Sequence, residues 1–147
     1  MSKLPSTARG MIDVAYVALG SNLGDRHGHL AAARAALAEL PETRVVGISS
    51  VEETEPLSGL EQPWYLNQMV ALETSLTPHE LLAKLQSIEA RQGRVRRERW
   101  ASRTLDLDIV CFQHQSVHEP GLQVPHPGLA DRPFWQRELA ELRRSDR

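Results

Sequence analysis

The segment from Thr104 to Phe112 constrains the fold most, because it alternates polar and apolar residues like a strand with one exposed face. Successive side chains of a strand point to opposite faces, so Asp106 and Asp108 are predicted to share one face. The predicted apolar face consists of Leu105, Leu107, Ile109 and Cys111. One acidic and one apolar face are typical of a strand in an antiparallel sheet that is covered on one side.

Two interpretations of this acidic face are open. A solvated sheet face tolerates aspartates, although Asp is a poor strand former. A binding site is favoured because the two like charges repel each other, no basic residue alternates with them, and Arg99 and Arg103 lie just upstream. Carboxylates about 6 to 7 Å apart suit a pair of hard cations such as Mg²⁺ on a polyphosphate.

Composition places the chain among ordinary globular proteins. Its 147 residues are 41% apolar and 24% charged, with a net charge of −2. These values predict one domain over residues 13–147 after a disordered leader at 1–12, with no nucleic-acid or membrane partner. The lone Cys111 excludes an internal disulfide and indicates a reducing cytoplasm. The basic residues cluster at Arg91, Arg94, Arg96, Arg97, Arg99 and Arg103.

Hydrophobic periodicity predicts a mixed order of strands and helices. Strands are predicted at 14–19, 45–51, 65–74 and 104–112, and helices at 26–40, 78–92 and 132–144. Thr77, Pro78 and Glu80 form a strong helix start with a capping box. The order βαββαβ predicts an α+β fold, a ferredoxin-like plait with an antiparallel sheet, helices on one face and a C-terminal helical extension. The aspartates are predicted to lie on the open face.

One residue of the second helix does not fit a purely solvated face. Glu89 lies at the border of the apolar stripe formed by Leu82 and Leu85. A carboxylate at a buried border needs a partner, so the spacing predicts a bound group or a hydrogen bond at this position.

Several short motifs occur in a shared order along the chain. The most specific runs from Arg103 to Ile109, and the others are Ala18 to Gly24, Tyr65 to Asn67, Gln92 to Arg94, Val124 to His126 and Arg132 to Phe134. In this order they resemble the 6-hydroxymethyl-7,8-dihydropterin pyrophosphokinase family of the folate pathway. The resemblance covers residues 14 to about 134.

The resemblance implies transfer of a diphosphate from ATP to the pterin hydroxymethyl group with release of AMP, two Mg²⁺ ions as cofactors, and a monomer. It implies that Asp106 and Asp108 bind metal and act in catalysis with Arg96 and Arg103. The implied ATP-binding residues are Gln86, Glu89, Arg94, Arg96, Arg99, Trp100, Arg103, His126 and Arg132. The implied pterin-binding residues are Gly20, Thr54, Leu57, Tyr65, Asn67, Trp100 and Phe134.

Structural roles are the simpler alternative for several of these residues taken alone. Tyr65 and Phe134 suit ordinary packing, Asn67 suits a strand edge, and a lone His126 is more often structural. The other histidines show no metal-ligand spacing, so zinc is not predicted.

Two other functions are also open. Glu55 and Trp64 border the expected pocket and allow a different pterin or related heterocycle, while Ala101 and Ser102 replace a Gly-Pro pair that is usual before the signature arginine. A non-enzymatic ferredoxin-like module that binds RNA or another anion through the arginine cluster is the third hypothesis. The paired acids count against binding of a polyanion without metal.

Overall fold

The structure is a computed structural model that describes residues 11–56, 61, 63–92 and 104–145. The strands are β1 (Asp13–Ser21), β2 (Thr43–Ile48), β3 (Glu52–Thr54), β4 (Tyr65–Thr74), β5 (Asp106–Phe112), β6 (Val117–Glu119) and β7 (Leu122–Val124). The α-helices are α1 (Arg26–Ala38), α2 (Pro78–Arg91) and α3 (Pro133–Ser145), and a 3-10 turn spans Pro127–Asp131. The predicted leader lies largely outside the described residues, as do residues 93–103 of the arginine cluster.

The main sheet is built around β1. Its order is β2-β4-β1-β5, and β3 pairs with β4 at the end where β2 does not reach. Every strand pair in it is antiparallel. β6 and β7 form a separate hairpin. Because β1 lies at the centre and is packed on both faces, eight of its nine residues are buried.

Helices α1 and α2 cover one face of the sheet. Leu37 of α1 and Leu85 and Ile88 of α2 are almost fully buried against Val17 and Leu19 of β1. The predicted helical spacing is therefore confirmed. The capping box of α2 is confirmed too, because the Thr77 hydroxyl accepts from the Glu80 backbone and the Glu80 carboxylate accepts from the Thr77 backbone.

Helix α3 covers part of the other face. Trp135 and Leu139 pack with Tyr16, Ala18 and Met69 in a second apolar cluster. The expectation that the helices lie on one face and leave the other open is therefore wrong in part, because the C-terminal helix is amphipathic and buries its own apolar stripe there. Among the described residues no helix is long and apolar enough to cross a membrane.

A β-bulge divides β5 into two registers. Val17 pairs with Ile109 and Tyr16 pairs with Cys111, so Val110 is the extra residue. The bulge turns Cys111 toward α3. The predicted placement of Cys111 with Leu107 and Ile109 is therefore wrong, because strict alternation ends at Val110.

Glu89 stabilises the edge of β5. Its side chain is 7% exposed, and its Oε2 accepts a hydrogen bond of 2.7 Å from the backbone N–H of Leu107. Since β5 is an outer strand of the sheet, this N–H points away from β1 and needs an acceptor. The predicted partner of Glu89 is thus a backbone group between the two aspartates.

We expect Glu89→Ala to destabilise the protein by about 1 to 3 kcal/mol, because it leaves the buried Leu107 N–H without its acceptor. Urea denaturation measures the free energy of unfolding. Glu89→Gln keeps an acceptor oxygen and serves as the matched control, with a smaller loss expected. Equal stability of the alanine variant and the wild type would contradict this role.

Candidate functional site

The face of the sheet that carries the aspartates is organised as a row of paired residues. Gly20 of β1 is paired with Asp106 of β5 on one side and with Asn67 of β4 on the other. Asn67 is in turn paired with Glu52 of β3. Directly paired residues project from the same face of a sheet. The Asp106 carboxylate and the Asn67 amide therefore lie on either side of Gly20, which has no side chain.

Gly20 forms a recess in this row. A Cβ added there would lie 3.4 Å from Asn67 Oδ1 and 3.5 Å from Tyr65 Cδ2. These are ordinary contact distances, so a single methyl group fits, but a larger side chain would occupy the space between Asp106 and Asn67. The absent side chain leaves room for a flat group against the sheet.

The next row bounds the recess on the side of α3. Asp108 is paired with Ala18, which is paired with Met69. Phe134, the second residue of α3, packs in the same cluster as Ala18 and Met69 and is 8% exposed. An aromatic ring thus stands at the margin of the recess, and Asp108 remains half-buried beside it.

The amide of Asn67 is oriented by β3. Its Nδ2 donates a hydrogen bond of 2.5 Å to Thr54 Oγ1. Its Oδ1 therefore lies toward Gly20, as the distance from the Gly20 position shows. Thr54 is paired with Tyr65, so β3 holds both residues at the end of β4. The recess presents a hydrogen-bond acceptor next to an aromatic side chain.

His126 is positioned by the bulge in β5. Its backbone N–H donates to the carbonyl of Val110 at 2.8 Å, and its Nδ1 accepts from the Gly128 N–H at 2.9 Å. Nε2 therefore carries the proton of the neutral ring and lies 3.9 Å from Asp108 Oδ1. Trp135 contacts the imidazole edge-on, with 5.0 Å between ring centroids.

The electrostatics favour a neutral His126. Burial lowers the pKa of His126 below its ordinary value, Asp108 opposes this shift, and Arg132 adds to it. The Arg132 guanidinium lies over the Trp135 ring, 4.4 Å from its centroid, as in a cation–π contact. Its Nη1 is buried and has no hydrogen-bond partner among the described residues. A donor and a cation thus flank the aspartates.

The loop after β1 holds the chain that enters β4. Asn22 Nδ2 donates to the carbonyl of Pro63 at 3.1 Å, and Arg26 Nη1 donates to the carbonyl of Trp64 at 2.9 Å. Arg26 also forms an ion pair of 2.9 Å with Glu53 of β3. These contacts tie the starts of β4 and α1 together beside the recess.

The structure brings many of the predicted site residues onto this one face. They are Gly20, Thr54, Tyr65, Asn67, Asp106, Asp108, His126, Arg132 and Phe134. Gln86 and Glu89 lie instead on α2, which covers the opposite face, and reach the site only around the edge of β5. Leu57, Arg94, Arg96, Arg99, Trp100 and Arg103 lie outside the described residues.

The acidic pair is the donor set available to a metal. No group of three or more His, Cys, Asp or Glu side chains suited to a metal ion occurs in the described part of the chain. Asp106 and Asp108 supply two hard oxygen ligands on one face. Such a set suits Mg²⁺, which keeps several waters and takes its other ligands from phosphate oxygens.

Three residues of this region were missed by sequence reasoning. Trp135 packs against both His126 and Arg132, and Glu52 lies beside Asn67 in the row. Glu138 of α3 is almost fully buried although it is acidic. Its spacing of four residues from Phe134 was the available signal, because residues at this spacing share one face of a helix.

The fold and this face define a class of protein: a small α+β domain with a recess suited to a flat polar molecule next to a pair of hard oxygen ligands. Comparison with known families gives the particular family. The model described as 7,8-dihydro-6-hydroxymethylpterin-pyrophosphokinase (HPPK) matches residues 16–144, and the chain belongs to this family.

Individual relatives agree with this assignment. The chain is similar to a 2-amino-4-hydroxy-6-hydroxymethyldihydropteridine pyrophosphokinase of Pseudomonas aeruginosa, with 47% identity over 132 residues that cover 90% of this chain and 82% of that protein. It is 43% identical to the enzyme of the same name from Bacillus subtilis, over 90% of this chain and 79% of that protein.

A solved structure shows the same fold at low sequence identity. A crystal structure of a Plasmodium falciparum HPPK-DHPS triple mutant superposes with a TM-score of 0.63 at 13% identity. The match covers 88% of this chain and 38% of that much longer chain. At this identity the likeness concerns the mixed α+β fold with its antiparallel sheet alone.

Proposed function

We propose that the protein is a pyrophosphokinase of folate biosynthesis that transfers a diphosphate from ATP to 6-hydroxymethyl-7,8-dihydropterin and releases AMP. The observation that carries this proposal is the paired row of Asp106, Gly20 and Asn67. A metal-bound phosphate would suit the carboxylate end of this row, and a heterocycle would suit its amide end. The family membership and the two bacterial relatives support the same reaction.

The pterin end of the proposed site is formed by β1, β4 and α3. A flat ring fits against Gly20 between Tyr65 and Phe134, because aromatic side chains favour stacked or edge-on contacts with such rings. Asn67 Oδ1 faces the recess and can accept from a ring N–H or amino group. Thr54 fixes this orientation by accepting from Nδ2.

The phosphate end is formed by β5 and the turn before α3. Asp106 and Asp108 would hold the Mg²⁺ ions that accompany ATP, and bound Mg²⁺ supplies charge neutralisation for the transferred group. The neutral His126 can donate from Nε2 to a phosphate oxygen, and Arg132 adds a positive charge nearby. Arg94, Arg96, Arg99, Trp100 and Arg103 remain predicted nucleotide contacts.

The proposed chemistry is a direct displacement. The hydroxymethyl oxygen of the pterin attacks the β-phosphorus of ATP, the new O–P bond forms, and the bond to the α-phosphate oxygen breaks to release AMP. The residues contribute by holding the two substrates in line and by excluding water, which are the main sources of catalysis in phosphoryl transfer. Gln86 and Glu89 on α2 are proposed to contact the nucleotide around the edge of β5.

Finer structural assignments support this proposal. We propose that the antiparallel order β2-β4-β1-β5, with α1 and α2 on one face, corresponds to a ferredoxin-like plait. We also propose a monomeric protein of the cytoplasm, since the lone Cys111 is buried and unpaired by a disulfide.

A second candidate is a diphosphokinase that acts on a different pterin. Trp64 is 48% exposed directly before Tyr65, and Glu55 is exposed directly after Thr54. Both residues border the recess and can exclude or select ring substituents. Parallel assays with several pterins separate the two candidates by their values of kcat/KM.

The reaction itself is tested by incubating the protein with ATP, Mg²⁺ and 6-hydroxymethyl-7,8-dihydropterin. We expect AMP and the pterin diphosphate in equal amounts, measured by chromatography. ADP as the product would show a single-phosphate kinase and contradict the proposed reaction. Omission of Mg²⁺, with a chelator present, is expected to abolish turnover because the phosphate charges are then not neutralised.

Asp108→Ala is expected to lower kcat by about 10²- to 10³-fold or more, the scale of losing one electrostatic stabiliser. The melting temperature is expected to stay the same or rise, because the repulsion between Asp106 and Asp108 is relieved. Glu119→Ala, which removes an exposed carboxylate from the β6–β7 hairpin, is the control with unchanged kcat. An unfolded Asp108 variant, or one with full activity, would show that the assigned role is wrong.

Gly20→Val is expected to raise the KM for the pterin by about tenfold or more and to leave the KM for ATP nearly unchanged. The branched side chain suits a strand but fills the recess between Asp106 and Asn67. Gly20→Ala adds only a methyl group at contact distance and is expected to have a smaller effect. If both variants bind the pterin like the wild type, the ring does not lie against Gly20.

A further inference from the structure

Glu138 is a buried acid outside the proposed set of substrate contacts. Its side chain is 1% exposed in α3, and no group among the described residues donates a hydrogen bond to either carboxyl oxygen. An ionised carboxylate in such a position is very costly unless it is paired or takes up a proton. The protonation state of Glu138 therefore matters to the packing of α3.

The charged groups that face Glu138 come from β3 and from α3 itself. Glu52 of β3 is the nearest acid, and it is held in place by Arg137, whose Nη2 and Nε donate to its Oε1 at 2.7 and 3.1 Å. Glu141 accepts from the backbone and hydroxyl of Ser50. Beneath α3, β4 contributes the uncharged Met69 and Ala71 and β2 contributes the uncharged Gly47.

These surroundings favour the neutral acid. Burial first, then a hydrogen bond to Glu52 and the charges of Glu52 and Glu141, together raise the pKa of Glu138 from its ordinary 4.5 to about 9. Arg137 opposes the shift. At neutral pH Glu138 carries its proton and can donate a hydrogen bond to the Glu52 carboxylate, which also accepts from Arg137.

This acid pair is adjacent to both walls of the recess. Glu52 is the direct strand partner of Asn67, and Thr54, which orients the Asn67 amide, lies two residues further along β3. Glu138 follows Phe134 by one turn of α3 on the same side of the helix. A contact between Glu138 and Glu52 therefore connects the helix that carries Phe134 to the strand that is paired with Asn67.

We propose that protonated Glu138, seated against Glu52, is a positioning residue for the pterin recess that holds α3 against β3 only while it keeps its proton. This inference rests on the proposed function. Loss of the proton places two negative charges side by side in a buried position, and their repulsion separates Phe134 from Asn67. Pterin binding then weakens at alkaline pH, while the phosphate end, whose carboxylates lie on β5, is affected much less.

The stability of the folded protein is expected to fall at alkaline pH, in the same direction as pterin binding. A carboxyl group whose pKa is higher in the folded than in the unfolded protein favours folding fully below the unfolded value near 4.5. That contribution is lost as the pH rises through the folded value near 9. A glutamine at this position has no charge to gain, so its packing is independent of pH over this range.

The test measures the KM for the pterin, the KM for ATP and kcat between pH 6 and 10 in the wild type and in Glu138→Gln. Because binding requires the protonated state, we expect the wild-type pterin KM to rise about tenfold once the pH is one unit above the Glu138 pKa. The Glu138→Gln profile is expected to lack this rise, and the KM for ATP is expected to change much less than the pterin KM in the wild type. Identical pterin profiles of the two proteins would overturn the proposal.

Two further variants locate the effect. Glu52→Gln removes the charge that repels an ionised Glu138, so the rise in the pterin KM is expected to be largely lost. Glu141→Gln removes an acid from the same helix that bonds to Ser50 instead, so the rise is expected to remain with only a small shift. A rise that disappears in Glu141→Gln would assign the effect to the general charge of α3 and contradict the role of Glu138.

A measurement without turnover separates this inference from the proposed reaction. The carboxyl carbon of Glu138 and the side-chain amide of Asn67 are followed by NMR during a pH titration of the free protein. We expect both signals to shift with one midpoint in the wild type and the amide signal to stay in place in Glu138→Gln. An Asn67 amide that does not follow Glu138 overturns the inference, whereas absence of AMP in the assay contradicts the proposed function alone.

Discussion

The register of β1 between β4 and β5 is the constraint on which the rest of this molecule depends. Gly20 has to pair with both Asp106 and Asn67, and Ala18 has to pair with both Asp108 and Met69. Since the side-chain period of a strand is two, a slip of β5 by one residue would turn both carboxylates into the apolar layer under α2. The burial of Leu107 and Ile109 of β5 on the same side as α1 and α2 prevents such a slip, because the alternative register would expose them. The apolar packing under α1 and α2 therefore fixes the positions of the two carboxylates on the opposite face of the sheet.

The edge of β5 shows how the sheet joins the two ends of the site. An outer strand has backbone groups without a strand partner. In β5 the Leu107 N–H is bound by Glu89 of α2, and the carbonyl of the bulged Val110 is bound by the backbone of His126. The first contact comes from the covered face and the second from the turn before α3. The groups that complete the edge therefore also determine where the aspartates and the imidazole lie.

Much of this arrangement follows from local sequence. Strict alternation in β5 predicts the shared face of Asp106 and Asp108, and the capping box predicts the start of α2, because both depend on neighbours within a few residues. The bulge at Val110 depends on pairing with β1, so the reversed face of Cys111 could not be predicted from alternation alone. The packing of α3 on the second face of the sheet likewise depends on tertiary contacts. Of the site, the order of motifs predicts which residues meet, but not that Glu52 and Glu138 lie beside them.

Two buried glutamates illustrate why composition says little about such roles. Glu89 and Glu138 both lie on helices that pack against the sheet, and both are less than a tenth exposed. The carboxylate of Glu89 accepts a hydrogen bond from the backbone N–H of Leu107. Glu138 meets another carboxylate, so its burial is tolerated only with a proton bound. One glutamate therefore stabilises the edge of β5, and the other forms a proton-dependent contact beside Asn67. The difference arises entirely from what each helix places it against.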